Sequence, residues 1–123
     1  MEFRTDKRRY LLKLAYQIMK NKISSSLSEF NEELHEDRLI GIYRHNVCLG
    51  VVSISSDNYI HISVIPKQRG YWAGRWVFKL LAAESKERPL YTMVYKNQVP
   101  FAQRLGFELL AETGKISIMQ YVG

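Results

Sequence analysis

The stretch Ile60 to Leu81, IHISVIPKQRGYWAGRWVFKLL, constrains the fold more than any other part of the chain. Ile60, Ile62 and Val64 alternate with other residues, the period-2 pattern of a strand. Pro66 ends that strand, because proline has no N–H to give to a sheet ladder. A basic, glycine-bearing turn runs from Lys67 to Gly74, and Val77, Leu80 and Leu81 then recur at helical spacing. A strand, a glycine turn and a helix leave free backbone N–H groups at the helix N-terminus, where an anion can sit. No acidic residue lies between His61 and Ala83, so the local field favours an anion too.

Val64 to Gly74, VIPKQRGYWAG, resembles the acetyl-CoA signature of the GNAT N-acetyltransferase superfamily, which reads roughly V-x-P-x-x-R-G-x-G-x-G or -A. Phe101 to Phe107, FAQRLGF, resembles the second signature, a short helix ending in L-G-F. The two pieces stand in the family's order, with a helix and a strand between them. The resemblance spans residues 38–122 and marks a small, divergent member. The chain departs from the signature at Trp72, where the family has its central glycine.

The resemblance implies acetyl-CoA as cofactor. The pantetheine arm would lie between the strands equivalent to 60–64 and 90–95, pairing with backbone near Val64. The pyrophosphate would rest on the loop Arg69, Gly70, Tyr71, Trp72, Ala73 and Gly74, with Lys67 and Arg69 as charge partners. Consecutive N–H groups and a helix dipole make such a nest whatever the family. A tryptophan at 72 obstructs the loop if that position needs a bare backbone or positive φ, at roughly 1–3 kcal/mol. The alternative for the whole segment is a plain βα turn, with Trp72 and Trp76 packed against a neighbour.

Acetyl transfer needs a base for the amine and an acid for the leaving thiolate. The family's usual acid is a tyrosine that aligns with Ala102 here, leaving Tyr95 or Tyr59 as substitutes. His61 on the central strand has the right pKa class for the base; the alternative is a hydrogen-bonded wall residue. Glu33, Glu36 and Asp37 are other candidate bases, or a solvated helix face. Two function classes follow. One is an acetyl-CoA-dependent N-acetyltransferase acting on an amine of a protein or small molecule. The other is a catalytically inactive GNAT-fold binding or assembly protein, as small phage-encoded GNAT-like proteins are. Trp72 and Ala102 favour the second, and the retained R-G-x-x-x-G the first.

Composition sets the frame. The 123 residues suit one domain, 1–123, and 46% hydrophobic with 24% charged residues is ordinary for a globular chain. Cys48 is the only cysteine, so no internal disulfide forms and no zinc cluster is present; a reducing, cytoplasmic setting is the simplest inference. With no thiolate-stabilising neighbour in view, Cys48 reads as a small buried residue. No apolar run approaches the roughly 20 residues of a membrane span. The net charge of +6 is uneven. Arg4, Lys7, Arg8, Arg9, Lys13, Lys20 and Lys22 face only Glu2 and Asp6 in the first 22 residues, while 29–37 is acidic. Lys7, Arg8 and Arg9 fall in a first helical turn, against the helix dipole. That placement points either to an acidic partner or to a solvated face, with Arg4, Lys7, Arg8 and Arg9 exposed. A nucleic-acid role rests on charge alone, without a recognised motif.

In chain order, Thr5 is expected to cap a helix to about Lys20 with Leu11, Leu14, Ala15 and Ile18 on one face. Ser26 and Glu29 have capping-box spacing before a short helix. Extended segments 39–44 and 47–54 form a hairpin about His45-Asn46. Asp57-Asn58 turns into the strand–turn–helix unit, whose helix ends before Pro89. Leu90–Tyr95 is a strand, Pro100 and Gly106 bracket a helix, and 107–112 with 116–122 make a last hairpin about Thr113-Gly114. Met1–Arg4 is at most a stub of strand. The order is α+β with one βαβ unit: a mixed central sheet of about six strands flanked by helices, with a right-handed parallel crossover.

Overall fold

The computed structural model describes residues 2–20, 26–68, 74–84 and 89–123. The chain forms two compact units, Met1–Asp57 with His61–Trp72, and Asn58–Ile60 with Ala73–Gly123. The α+β order expected from the sequence is the order observed.

The first unit is built on a four-stranded sheet in the order β1-β2-β3-β4. Its strands are β1 (Glu2–Arg4), β2 (Arg38–Arg44), β3 (Val47–Ile54) and β4 (Ile60–Val64), and its helices α1 (Arg8–Met19) and α2 (Leu27–Glu33). The stub is thus a strand, with Phe3 opposite Ile42 in an antiparallel pair. β2 and β3 close about His45 and Asn46, both at positive φ (52° and 65°). That is the primed two-residue turn whose twist suits a hairpin, and asparagine tolerates it without glycine.

α1 starts at Arg8, and Lys7 occupies its N-cap without a side-chain cap. Thr5 is therefore not the cap. Arg4 still pairs with Gly41 in the sheet, so Thr5 to Lys7 are needed to carry the chain from strand to helix. Packing holds α1 in place. Leu11, Leu12 and Ala15 join Phe30, Leu39 and Val51 in one buried cluster, with the Tyr16 and Phe30 rings 5.5 Å apart. A fully buried leucine contributes roughly 1.5–3 kcal/mol. That outweighs the roughly 0.3–1 kcal/mol that a base in the first turn costs. α2 opens on the expected capping box: Ser26 Oγ accepts from Glu29 N at 3.2 Å, and Glu29 Oε1 accepts from Ser26 N at 3.1 Å.

The second unit holds α3 (Gly74–Glu84), β5 (Tyr91–Tyr95), α4 (Val99–Arg104), β6 (Phe107–Thr113) and β7 (Ile116–Tyr121). Its three strands pair antiparallel in the order β5-β7-β6. Gly106 follows α4 at φ 107°, the left-handed stop that glycine adopts freely. Val77, Phe78, Leu81, Leu90, Phe107 and Met119 are buried. Phe78 meets Phe107 edge-on at 4.9 Å, and the Tyr121 ring stands 5.4 Å from Phe107.

Among the described residues, parallel pairing of the βαβ unit is a single bridge, Tyr59 with Tyr91, inside the second unit. Tyr91 N donates to Asn58 O at 2.8 Å, and the two tyrosine rings lie 5.4 Å apart. Beyond that bridge β4 runs in the four-stranded sheet and β5 in the three-stranded one. Among the described residues, seven strands in two sheets therefore stand where about six in one were expected, because β1 forms and the parallel ladder stops after one bridge.

Candidate functional site

In the first unit, His61, Val64 and Lys67 share β4 and the 3-10 turn Pro66–Gln68 that follows it. His61 and Lys67 are exposed and Val64 is half-buried. The residue that fixes this segment is Gly50, which sequence reading passed over. A Cβ on Gly50 would lie 2.5 Å from the Ser63 carbonyl oxygen and 3.1 Å from the Val64 Cα. β3 and β4 thus approach as bare backbone at the position singled out for a cofactor arm. Ile65 N donates to Leu49 O at 2.9 Å just beyond it. A glycine inside a Val-rich strand is the signal for such an approach.

In the second unit, Gly74 is the first residue of α3, an 11-residue helix without an acid in its first turn. Arg69, Gly70, Tyr71, Trp72 and Ala73 lie outside the described residues. Within the first unit the 3-10 turn carries Lys67, and within the second the first turn of α3 carries no acid. Tyr95 closes β5 and is 61% exposed. Its backbone N donates to Gln98 Oε1 at 3.4 Å, anchoring the strand end to the next turn. Tyr59, the other candidate acid, is engaged with Tyr91. Ala102, at the family's tyrosine position, is 4% exposed in α4 and offers only a methyl group.

The basic N-terminal cluster is only partly available to a partner. Arg8 was expected to be exposed, but its guanidinium donates to the carbonyls of Leu34 (2.6 Å), Asp37 (2.7 Å) and His35 (3.2 Å). These oxygens gather where α2 ends and its carbonyls lack helical partners. Arg4 is likewise engaged. It donates to Glu2 Oε2 and Asn46 Oδ1, each at 2.7 Å, and lies 4.3 Å over the Tyr43 ring. Lys7 and Arg9 are exposed. Of the acids considered as bases, Asp37 has its pKa raised by burial, with Arg8 pulling the other way. Burial also pushes the Cys48 thiol up, so it is no thiolate at neutral pH.

The two-unit architecture matches known structures along almost its whole length. Over 99% of this chain and 95% of that one, it is similar to a point variant of spermidine N-acetyltransferase from Vibrio cholerae, at TM-score 0.75 and 16% identity. The ribosomal-protein-alanine N-acetyltransferase from Brucella melitensis matches over 99% of both chains, at TM-score 0.70 and 16% identity. The chain has the GNAT fold. An aminoglycoside 6'-N-acetyltransferase complexed with coenzyme A is also similar, at TM-score 0.73 and 13% identity over 98% of this chain and 96% of that one. No family model matches the sequence, and no curated protein does. Likeness at these identities is likeness of the GNAT fold, and function lives in the site residues. Among the described residues, no helix is long and apolar enough to cross a membrane.

Proposed function

We propose that this chain is an acetyl-CoA-dependent N-acetyltransferase acting on an amine of a protein or small molecule, working in the cytoplasm as one domain. The observation that carries the reading is the GNAT fold over nearly the whole chain, with the R-G-x-x-x-G sequence ending on Gly74, the first residue of α3. Acetyl-CoA, when bound, supplies the acetyl thioester. Val64 backbone would hold the pantetheine arm, and the 69–74 backbone, with Lys67 and Arg69, the pyrophosphate. His61 would take a proton from the acceptor ammonium, leaving a lone pair free to attack the thioester carbon. As the C–S bond breaks, Tyr95 would give its hydroxyl proton to the departing sulfur, and the tyrosinate would take up the second proton that the acylated nitrogen sheds.

A second reading is a GNAT-fold binding module without catalysis. The buried methyl of Ala102 favours it, because the family's acid is missing there, and so does Trp72 in the phosphate loop. Calorimetric titration of the chain and of Trp72→Gly with acetyl-CoA separates the two. Binding by the unmodified chain, or binding that tightens in Trp72→Gly, supports the transferase. Absence of binding by both, with Trp72→Gly folded, rules it out and leaves the module.

A further inference from the structure

We propose that the groove between α1 and α2 docks an acidic amphipathic segment of a protein partner. Arg9, Leu12 and Lys13 line it from α1, and Leu27, Ser28 and Asn31 from α2. The spacing i, i+3, i+4 puts the three α1 residues on one stripe, and Leu27 and Asn31 share a stripe of α2. Leu12 makes the floor at 8% exposed, while Leu27 stands at the rim at 37%. The space of about 500 Å³ accepts the apolar anchors of a short helix, the mode in which a helix lays an i, i+4 pair into a groove.

Charge selects the occupant. Among the described residues no carboxylate lines the groove. Glu29, the acid one turn beyond Ser26, is held in the capping box. Arg4 and Arg8 are engaged within the unit, whereas among the described residues Arg9 and Lys13 have no ion-pair partner. Arg8 answers its unfavourable place in the first turn of α1 by reaching the carbonyl end of α2. Among the described residues Arg9 has no such answer, and a partner carboxylate beside it supplies one. An apolar floor under two unpaired cations therefore fits leucines flanked by glutamates better than a polyanion without apolar groups.

The test uses the full chain and a fluorescein-labelled helical peptide of about 14 residues with leucine and glutamate at i, i+4 positions, read by anisotropy. A peptide with lysine for glutamate, and heparin, are the controls. The variants are the double change Arg9→Gln with Lys13→Gln, and Leu27→Asp. Both keep the fold, since Arg9 and Lys13 are exposed and the first of them is a base in an N-terminal turn, while Leu27→Asp places an acid at such a turn. The expected result is binding of the acidic peptide, weakened tenfold or more by either variant, and none of the lysine peptide. Absence of binding by the acidic peptide at about 1 mM, or binding that ignores both variants, overturns the proposal. So does heparin bound as tightly as the peptide and untouched by Leu27→Asp, which leaves a solvated basic face.

Discussion

Arg8 donates 2.6 Å to the Leu34 carbonyl, joining the first turn of α1 to the last turn of α2. The same guanidinium reaches the Asp37 and His35 carbonyls, so one side chain satisfies three acceptors near a negative helix end. A planar fork does this and a single ammonium does not. Arg8→Gln is expected to lower stability by about 1.5–3 kcal/mol, the range for hydrogen bonds to a charged group. Arg8→Lys should recover only part, and Arg9→Gln should cost nothing. Urea midpoints of the three variants check this; equal midpoints for Arg8→Gln and Arg9→Gln would refute it.

Gly50 faces Ser63 and Val64 with no room for a side chain. The obstructing atoms are backbone, which cannot rotate away, so Gly50→Ala must push β3 and β4 apart. A loss of about 1–3 kcal/mol is expected, as for overpacking in a core. Thermal unfolding measures it, and an unchanged midpoint would mean that the strands are not this close.

Asp37 gives the fold a pH signature. Burial raises its pKa, Glu36 adds to the rise, and Arg8 opposes it. In the folded chain the carboxyl then keeps a proton that the unfolded chain has lost. Its stabilisation is full below the unfolded pKa, near 3.9, and is lost as pH rises through the raised folded value. Asp37→Asn removes that loss. The variant should gain on the parent as pH climbs from about 3 to 7 and keep the gain at neutrality. A difference constant with pH, or one that shrinks, contradicts the raised pKa.

Cys48 is buried and its thiol pKa is raised by that burial. Native protein at neutral pH should resist iodoacetamide and react fully once unfolded in guanidinium. Rapid native labelling would show that the β2–β3 hairpin opens readily.

Local signals made most elements legible. The Ser26–Glu29 box, the turn at His45-Asn46 and the Pro100–Gly106 bracket each act within a few residues, and each is present. Long-range relations were not legible. The acceptors of Arg8 come 26 to 29 residues later, so in sequence it looked like an unmet charge. β1 is three residues long, and pairing with β2 rather than its own pattern makes it a strand. The alternation read in Ile60–Val64 was likewise incomplete, because Ser63 is buried opposite Gly50 while Ile62 is only half-buried. Around the candidate site, the strand Ile60–Val64 and the helix that begins at Gly74 were readable from local pattern. No candidate acid was readable, because Ala102 offers only a methyl group and nothing in the spacing selects among the tyrosines.

That last choice can be made by experiment. Tyr95 is 61% exposed, so removing its hydroxyl leaves no buried group unpaired and Tyr95→Phe should fold as stably as the parent. If Tyr95 protonates the leaving sulfur, acetyl transfer from acetyl-CoA to an amine panel should fall about 10²–10⁴-fold in Tyr95→Phe, the usual worth of a general acid. Restoring the family's residue does not offer the same test. Ala102 is 4% exposed, and a phenol there overpacks α4 against its unit at a cost of about 1–3 kcal/mol or more. Ala102→Tyr is therefore expected to lose stability without gaining rate. Full activity in Tyr95→Phe, or a faster and equally stable Ala102→Tyr, would move the acid away from Tyr95.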